Sequence, residues 1–173
     1  SQDYAGLSLA TGDVNGDGVG DLIIGAYEED SGAYGAGAVY LIDGPVAGSH
    51  SLSGSSAKIL GTGVYDYAGF SVASGDVDGD SKDDLVIGAY GQDDGGSSAG
   101  AAYVVLGSVA GTMSLSSSDA MLIGESAGDS AGTSIAIGYV DSDFLGDIVV
   151  GANSEDSGGT SAGAAYLLYG QNL

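Results

Sequence analysis

The sequence contains no cysteine and no tryptophan, and it has one proline and one histidine among its 173 residues. Without cysteine there is no disulfide and no thiolate metal site, and the redox compartment cannot be inferred. His50 stands in a Gly-Ser-His-Ser segment and is expected to be a solvated loop residue. A Ser-His-Asp arrangement would depend on this one side chain, and no phosphate-binding glycine loop precedes a helix. We therefore predict that the chain is not an enzyme.

Basic residues are also scarce. Lys58 and Lys82 stand against 24 Asp and Glu residues, for a formal net charge of −22. Nucleic-acid binding requires cationic contacts with phosphates, so the composition predicts no nucleic-acid partner. The longest apolar runs have only the length of β-strands, which predicts no membrane insertion.

An acidic loop that leads into a short apolar strand occurs three times, at a spacing of 63 residues. We number each loop from its first residue, so that loop 1 covers residues 13–21, loop 2 residues 76–84 and loop 3 residues 139–147. With the strand that follows, the copies are Asp13-Val-Asn-Gly-Asp-Gly-Val-Gly-Asp-Leu-Ile-Ile-Gly-Ala, Asp76-Val-Asp-Gly-Asp-Ser-Lys-Asp-Asp-Leu-Val-Ile-Gly-Ala and Tyr139-Val-Asp-Ser-Asp-Phe-Leu-Gly-Asp-Ile-Val-Val-Gly-Ala.

Oxygen-bearing side chains recur at positions 1, 3, 5 and 9 of these loops, which is the chemistry that Ca²⁺ requires. Side chains at alternate positions of a tight loop converge on one point, and position 7 would offer its backbone carbonyl. The loops are predicted to bind Ca²⁺ through Asp13, Asn15, Asp17, Val19 and Asp21 in loop 1, Asp76, Asp78, Asp80, Lys82 and Asp84 in loop 2, and Asp141, Asp143 and Asp147 in loop 3.

Two alternatives bear on these sites. A helical calcium loop needs a bidentate Glu at position 12, where this chain has Ile24, Ile87 or Val150. Asn-Gly and Asp-Gly also favour plain hairpin turns, but packing these acids together without a cation would be repulsive. We predict calcium in loops 1 and 2. Loop 3 has Tyr139 at position 1 and Phe144 at position 6, so its occupancy stays open.

The 63-residue period covers the rest of the chain and predicts four short strands in each repeat. The strand candidates of repeat 1 lie at Leu7–Leu9, at the run after the loop, at Ala38–Ile42 and at Lys58–Leu60. Four strands per repeat predict an all-β fold of β-propeller blades. The predicted blades are residues 1–61, 62–124 and 125–173, and the third lacks its outer strand.

The Ala-Gly-Phe70 start, the Asp-rich loop and the Gly-Ala ends at residues 25–26, 88–89 and 151–152 resemble FG-GAP repeats, the blades of the integrin alpha-subunit propeller. The resemblance implies structural calcium, an extracellular or cell-surface location and a partner face opposite the calcium loops. That face would carry Tyr34, Tyr65, Tyr67 and the segments 27–30, 90–94 and 153–156.

Three blades do not close a propeller, which has about four to eight blades. The ring would close through a longer parent chain or through assembly of copies, and a homodimer with a six-bladed ring is our first expectation.

The predicted function is therefore a calcium-binding propeller module for extracellular protein interaction or adhesion. The alternatives are a calcium-dependent glycan-binding propeller and accessory repeats of a larger secreted hydrolase. Paired carboxylates for glycoside hydrolysis are a further interpretation of the clustered acids.

Overall fold

Three β-sheets make up the part of the chain that the computed structural model describes, residues 2–170. Its helical segments are the short 3-10 turns Leu52–Gly54 and Leu115–Ser117, neither of which has the length to span a membrane. The strands are β1 (Leu9–Gly12), β2 (Asp21–Ala26), β3 (Ala38–Ile42), β4 (Ala57–Leu60), β5 (Ser71–Gly75), β6 (Asp84–Ala89), β7 (Ala101–Val105), β8 (Gly111–Ser114), β9 (Ala120–Ile123), β10 (Ala131–Gly138), β11 (Asp147–Ala152) and β12 (Ala164–Leu168).

The strand orders repeat in the way that the sequence predicts. Sheet 1 has the order β1-β2-β3-β4-β8, sheet 2 the order β5-β6-β7-β9 and sheet 3 the order β10-β11-β12. The first four strands of sheet 1, and all strands of sheets 2 and 3, pair antiparallel with their neighbours. This confirms an all-β fold of open propeller blades. The blade boundaries after residues 61 and 124 stay predictions.

Strand β8 is the one strand that the repeat pattern does not predict. It belongs to the second repeat in sequence, yet it pairs parallel with β4 of sheet 1, from Ala57↔Gly111 to Leu60↔Ser114. The N–H of Gly111 starts this pairing with a 2.9 Å hydrogen bond to the carbonyl of Ser56. The second repeat thus covers the outer edge of sheet 1, which would otherwise present unpaired backbone groups.

The sheets pack face to face, and sheet 2 lies between the other two. One apolar cluster joins sheet 1 to sheet 2 and includes Ile23, Leu41 and Ile87. The other joins sheet 2 to sheet 3 and includes Val86 and Ile148. Every residue of β6 and β7 is buried, whereas burial alternates along much of β2 and β12. The central strands of sheet 2 are therefore apolar on both faces, as expected for an inner layer.

Glycines in the middle of strands allow the sheets to approach closely. A Cβ at Gly25 would overlap the carbonyl oxygen of Gly69 in the second repeat, and a Cβ at Gly88 would overlap that of Gly132 in the third. The hydroxyl groups of Ser8 and Ser71 donate 2.7 Å hydrogen bonds to these same carbonyls. Each junction is therefore fixed by one glycine, one serine and one backbone carbonyl.

An ion pair joins strand β4 of sheet 1 to the segment that follows β2. The Lys58 ammonium lies 2.8 Å from the Glu29 carboxylate and 5.1 Å from the centre of the Tyr40 ring. Burial opposes ionisation of Glu29, but hydrogen bonds from Lys58 and Ser31 outweigh it and lower the pKa of Glu29. Sixty-three residues later the same positions hold Gln92 and Met121, so sheet 2 uses a neutral pair.

We predict that Gly88→Ala lowers the free energy of unfolding by about 1–3 kcal/mol, because the added methyl group meets a backbone carbonyl that cannot rotate away. Gly54→Ala is the matched control, since its Cβ has no neighbour within 4 Å and Ser117 occupies the equivalent position. Urea denaturation measures both variants. Equal stability of the two would contradict the close approach.

Lys58→Met alone should cost about 1–3 kcal/mol at neutral pH, because Glu29 then stays charged without its partner. The double variant E29Q/K58M, which copies Gln92 and Met121, should recover most of that loss. The pKa of Glu29 is lowered by folding, so its stabilising contribution is present above the unfolded pKa and is lost as the pH falls through the folded one.

The pH dependence of the single variant follows from the same ionisation. The deficit of K58M relative to the wild type should shrink as the pH falls through the folded pKa of Glu29, because protonation of the carboxylate removes the ion pair. Urea denaturation from pH 3 to 8 tests this expectation, and a deficit that is constant with pH would refute it.

Candidate metal centres

A buried aspartate occupies position 9 of each acidic loop, at the first residue of the strand that follows. Asp21, Asp84 and Asp147 are fully buried. One carboxylate oxygen of each accepts the N–H of loop position 2, at 3.0 Å from Val14, 2.9 Å from Val77 and 2.7 Å from Val140. The loop is thereby folded back onto the start of its own strand.

The second oxygen of the same carboxylate binds a different part of the repeat. It accepts the N–H of a glycine that follows the third strand, at 2.8 Å from Gly44, 2.7 Å from Gly107 and 3.3 Å from Gly170. One side chain therefore ties together the acidic loop, the second strand and the segment after the third strand.

Side-chain oxygens at positions 1, 3 and 5 hold the loop backbone in a series of tight turns. In loop 2, Asp76 accepts the N–H groups of Gly79 and Ser81, at 2.6 and 3.0 Å, and Asp78 accepts that of Asp80 at 2.9 Å. At position 5 of the three loops, Asp17, Asp80 and Asp143 each accept the N–H two residues later. These bonds orient the carboxylates and leave further lone pairs for an ion.

The carboxylates converge in loops 2 and 3. One oxygen from each of Asp76, Asp78 and Asp84 lies within 4.8 Å of the other two, and the same holds for Asp141, Asp143 and Asp147. Position 3 contributes a carboxylate oxygen to both groups. In loop 1 the residue at position 3 is Asn15, so the predicted oxygen set of loop 1 combines one amide with three carboxylates. These hard oxygen donors are of the kind that bind Ca²⁺.

The charges of the acids oppose one another in the absence of a cation. Burial, followed by the nearby carboxylates of Asp78 and Asp80, raises the pKa of Asp84. The N–H of Asp143 lowers the pKa of Asp141, but lost hydration and the carboxylates of Asp143 and Asp147 together raise it. A divalent cation among these groups would remove the repulsion, so the residues fit calcium as a bound ion.

The remaining predicted residues lie at the rims of the loops. Val19 and Lys82, at position 7, are partly exposed, and the Lys82 ammonium lies 3.5 Å from Asp80. Phe144, at position 6 of loop 3, is 88% exposed with a positive φ of 68°. Ser81 has a φ of 69° at the same position, so loop 3 keeps the backbone shape of loop 2.

An aromatic cluster lies at the opposite ends of the same strands. Within each of the first two repeats two rings stack, with centroids 5.3 Å apart for Tyr4 and Tyr27 and 5.0 Å apart for Tyr67 and Tyr90. Between these repeats, the rings of Tyr27 and Phe70 meet edge to face, with centroids 5.4 Å apart. A cleft of about 270 Å³ opens beside them. Its walls include Gln2, Glu28, Asp30, Tyr34, Gly35, Tyr65 and Tyr67. The predicted partner residues Tyr34, Tyr65 and Tyr67 are thus brought together, away from the acidic loops.

Two segments of the chain, residues 5–42 and 68–105, match the model of the FG-GAP repeat. These two segments are FG-GAP repeats. Each matched segment runs from the start of its sheet through the acidic loop to the third strand. The third copy of the 63-residue pattern forms sheet 3 with the same strand order, although its loop begins with Tyr139.

The FG-GAP chain is also similar to integrin alpha-IIb of Homo sapiens, with 40% identity over 118 residues. That match covers 64% of this chain and 11% of the relative. The expected resemblance to an integrin-alpha-like propeller is therefore confirmed, while the chain spans only a small part of the relative's length.

Sequence reasoning missed the glycines that complete the position-9 site. Gly44, Gly107 and Gly170 recur with the 63-residue period, and that spacing is the signal that could have identified them. Their role depends on a backbone N–H, which residue type does not reveal.

We predict that Asp17→Asn and Asp80→Asn each weaken one calcium site by at least about tenfold. Asparagine keeps the Oδ1 acceptor for the N–H two residues later, so each variant removes charge while preserving the turn. Isothermal titration with CaCl₂ measures the affinities. Glu28→Gln, which removes one charge at the opposite end of the strands, is the control. Unchanged binding in both loop variants would contradict the assignment.

Proposed function

We propose that this chain is a calcium-stabilised, integrin-alpha-like propeller module that acts in protein interaction or adhesion outside the cell. The observation that carries the proposal is the buried position-9 aspartate, which contacts the loop and the segment after the third strand in all three repeats. Calcium has a structural role in this proposal, and the chain performs no chemistry.

Through the position-9 carboxylate, the ion would hold together the acidic loop, the start of the second strand and the segment after the third strand. In loop 2, Asp84 already accepts the N–H groups of Val77 and Gly107. Calcium held by Asp76, Asp78, Asp80 and Asp84 would bind the acidic loop to the same point. Loop 1 would be held in the same way, and loop 3 would use Asp141, Asp143 and Asp147. Rigid loops at one end would keep the strands, and hence the opposite surface, in a fixed geometry.

The aromatic cluster is the surface that we assign to recognition. Tyr34 and Tyr65 are 63% and 50% exposed and pack edge to face, with ring centroids 5.3 Å apart. Exposed tyrosines held by neighbouring rings are suited to binding a partner, because they lose little conformational freedom on association. Glu28 and Asp30 on the same cleft favour a ligand with cationic or hydrogen-bond-donating groups.

An extracellular location is consistent with the calcium chemistry. Extracellular modules use calcium sites that fill only at about 10⁻⁴–10⁻³ M, and the relative with 40% identity is an integrin alpha subunit. Because the chain covers 11% of that relative, the activity and partners of a whole protein stay proposals here.

Calcium removal tests the proposal. At a calcium concentration about 100 times the dissociation constant, each site adds about 2.7 kcal/mol of stability, which corresponds to roughly 5–10 °C in Tm for a domain of this size. Thermal unfolding should therefore shift down strongly in EGTA and recover with added Ca²⁺, and Mg²⁺ should restore less. A Tm that is the same in EGTA and in Ca²⁺ would refute a structural role for the ion.

The tyrosine-lined cleft also supports a glycan-binding function, because sugar rings stack on exposed aromatic side chains. A glycan array probed in calcium distinguishes the two ideas. Binding that is lost in Tyr65→Ala would favour a lectin-like module, whereas an array without hits would remove it. The further alternative is that the repeats accompany a secreted hydrolase. The full-length gene tests it, because that gene would then also encode the hydrolase.

A further inference from the structure

A second cleft, separate from the tyrosine-lined one, opens on the second repeat. It has a volume of about 580 Å³. Its walls come from residues 62–66, from residues 92–94 and from the turn Leu115–Ser117, and the side chains of Tyr103 and Met121 also line it. All of these residues lie between positions 62 and 121, so the cleft is formed by the interior of the chain.

The first repeat shows what such a cleft can bind. Tyr40 and Lys58 line the equivalent cleft 63 residues earlier. There the Lys58 ammonium lies 2.8 Å from a carboxylate oxygen of Glu29 and 2.9 Å from the hydroxyl of Ser31. It also lies 5.1 Å from the centre of the Tyr40 ring. Two oxygen acceptors and an aromatic face suit a primary ammonium group, so the first repeat fills this site with its own lysine.

The second repeat keeps the surroundings of that site but lacks the ammonium. Tyr103 supplies the same aromatic ring. Asp94 occupies the position of the serine that contacts the ammonium in the first repeat, so a carboxylate replaces a hydroxyl group. Met121 replaces the lysine. The negative charge of the site is therefore retained, whereas its positive charge is missing.

The carboxylates of this cleft are not compensated within the chain. Asp66, Asp93 and Asp94 all line it, and Asp66 is 7% exposed. Burial, together with the charges of Asp93 and Asp94, outweighs the hydrogen bonds to Asp66 and raises its pKa. Burial, followed by the charge of Asp66, raises the pKa of Tyr103 to about 12. Both lysines of the chain form ion pairs elsewhere, so no basic side chain offsets these charges.

Gln92 indicates a second property of the missing group. This side chain is 6% exposed, and its Oε1 accepts the N–H of Asp94 at 2.9 Å. Its Nε2 donates no hydrogen bond to any residue from 2 to 170 and meets solvent in the cleft that Gln92 lines. A largely buried amide donor is costly to leave unpaired, so a group that fills the cleft should also offer an acceptor.

We propose that this cleft binds a ligand with a primary ammonium group next to a hydroxyl group, which is the chemistry of 2-amino sugars and of small amino alcohols. The carboxylates of Asp66 and Asp94 accept the ammonium beside the ring of Tyr103, and the Nε2 of Gln92 donates to the hydroxyl oxygen. The volume of the cleft is within the range of about 300–1,000 Å³ that is usual for small-molecule sites. The inference goes beyond the proposed function, which assigns recognition to the other cleft.

Titration with D-glucosamine, followed by two-dimensional amide NMR of the calcium-loaded protein, tests the proposal. At about pH 6 the carboxylates are ionised and the amine is protonated, and about 0.15 M salt screens non-specific attraction. The shifts should be confined to residues 62–66, 92–94 and their neighbours in the cleft.

Two related compounds separate the contributions of the ammonium and the hydroxyl groups. N-acetylglucosamine lacks the ammonium, and cyclohexylamine lacks the hydroxyls, so each should bind at least about tenfold more weakly than glucosamine. Equal binding of the three compounds, or no binding of glucosamine, would overturn the proposal. Ethanolamine distinguishes the sources: binding as tight as that of glucosamine would assign the site to small amino alcohols, and weaker binding to amino sugars.

Asp94→Asn removes one carboxylate charge from the cleft and keeps the backbone N–H that binds Gln92. It should weaken glucosamine binding by at least about tenfold. Glu28→Gln is the matched control, because it removes one charge from the tyrosine-lined cleft instead, and it should bind glucosamine as the wild type does. Equal affinities of Asp94→Asn and the wild type would rule out this site.

Met121→Lys supplies the ammonium from the chain itself, as Lys58 does in the first repeat. A buried lysine without a partner is strongly destabilising, but here its ammonium meets the carboxylates, so the Tm should not fall and glucosamine binding should be lost. Glucosamine binding that persists in folded Met121→Lys would count against the proposal. If this variant does not fold, Asp94→Asn decides the question.

Discussion

The fold depends on a carboxylate placed where the second strand of each repeat begins. Asp21, Asp84 and Asp147 are fully buried, and a buried charge is costly unless it is hydrogen-bonded and compensated. Each receives at least one N–H from its acidic loop and one from the segment after the third strand, so hydrogen bonding is provided within the repeat. The surrounding acids cannot compensate the negative charge of these carboxylates, whereas a bound cation can.

This arrangement separates the two ends of every strand. One end carries the three acidic loops, which hold 11 of the 24 Asp and Glu residues. The other end carries aromatic rings that stack within a repeat and pack edge to face between neighbouring repeats. Between them the sheets pack closely enough that Gly25 and Gly88 meet backbone atoms of the next sheet. Changes at the acidic loops can therefore reach the aromatic surface through short, tightly packed strands.

Much of this could be predicted from the sequence because it is encoded by local patterns. The apolar runs after the acidic loops are β2, β6 and β11. Loops 2 and 3 each bring three carboxylates together, as the spacing of Asp76, Asp78 and Asp84 suggests. The contacts that were not predicted join residues distant in sequence. Strand β8 has no apolar alternation and forms because β4 offers a free edge. The Lys58–Glu29 pair likewise requires two segments 29 residues apart to meet.

The account depends most directly on calcium at the position-9 aspartates. Crystals grown in CaCl₂, with anomalous diffraction data, would locate any bound ions. The account predicts anomalous peaks beside the carboxylates of Asp21 and Asp84, each within about 2.3–2.6 Å of its oxygen ligands, and the same map shows whether Asp147 also holds an ion. Acidic loops without peaks at Asp21 and Asp84, in well-ordered crystals at millimolar calcium, would contradict it.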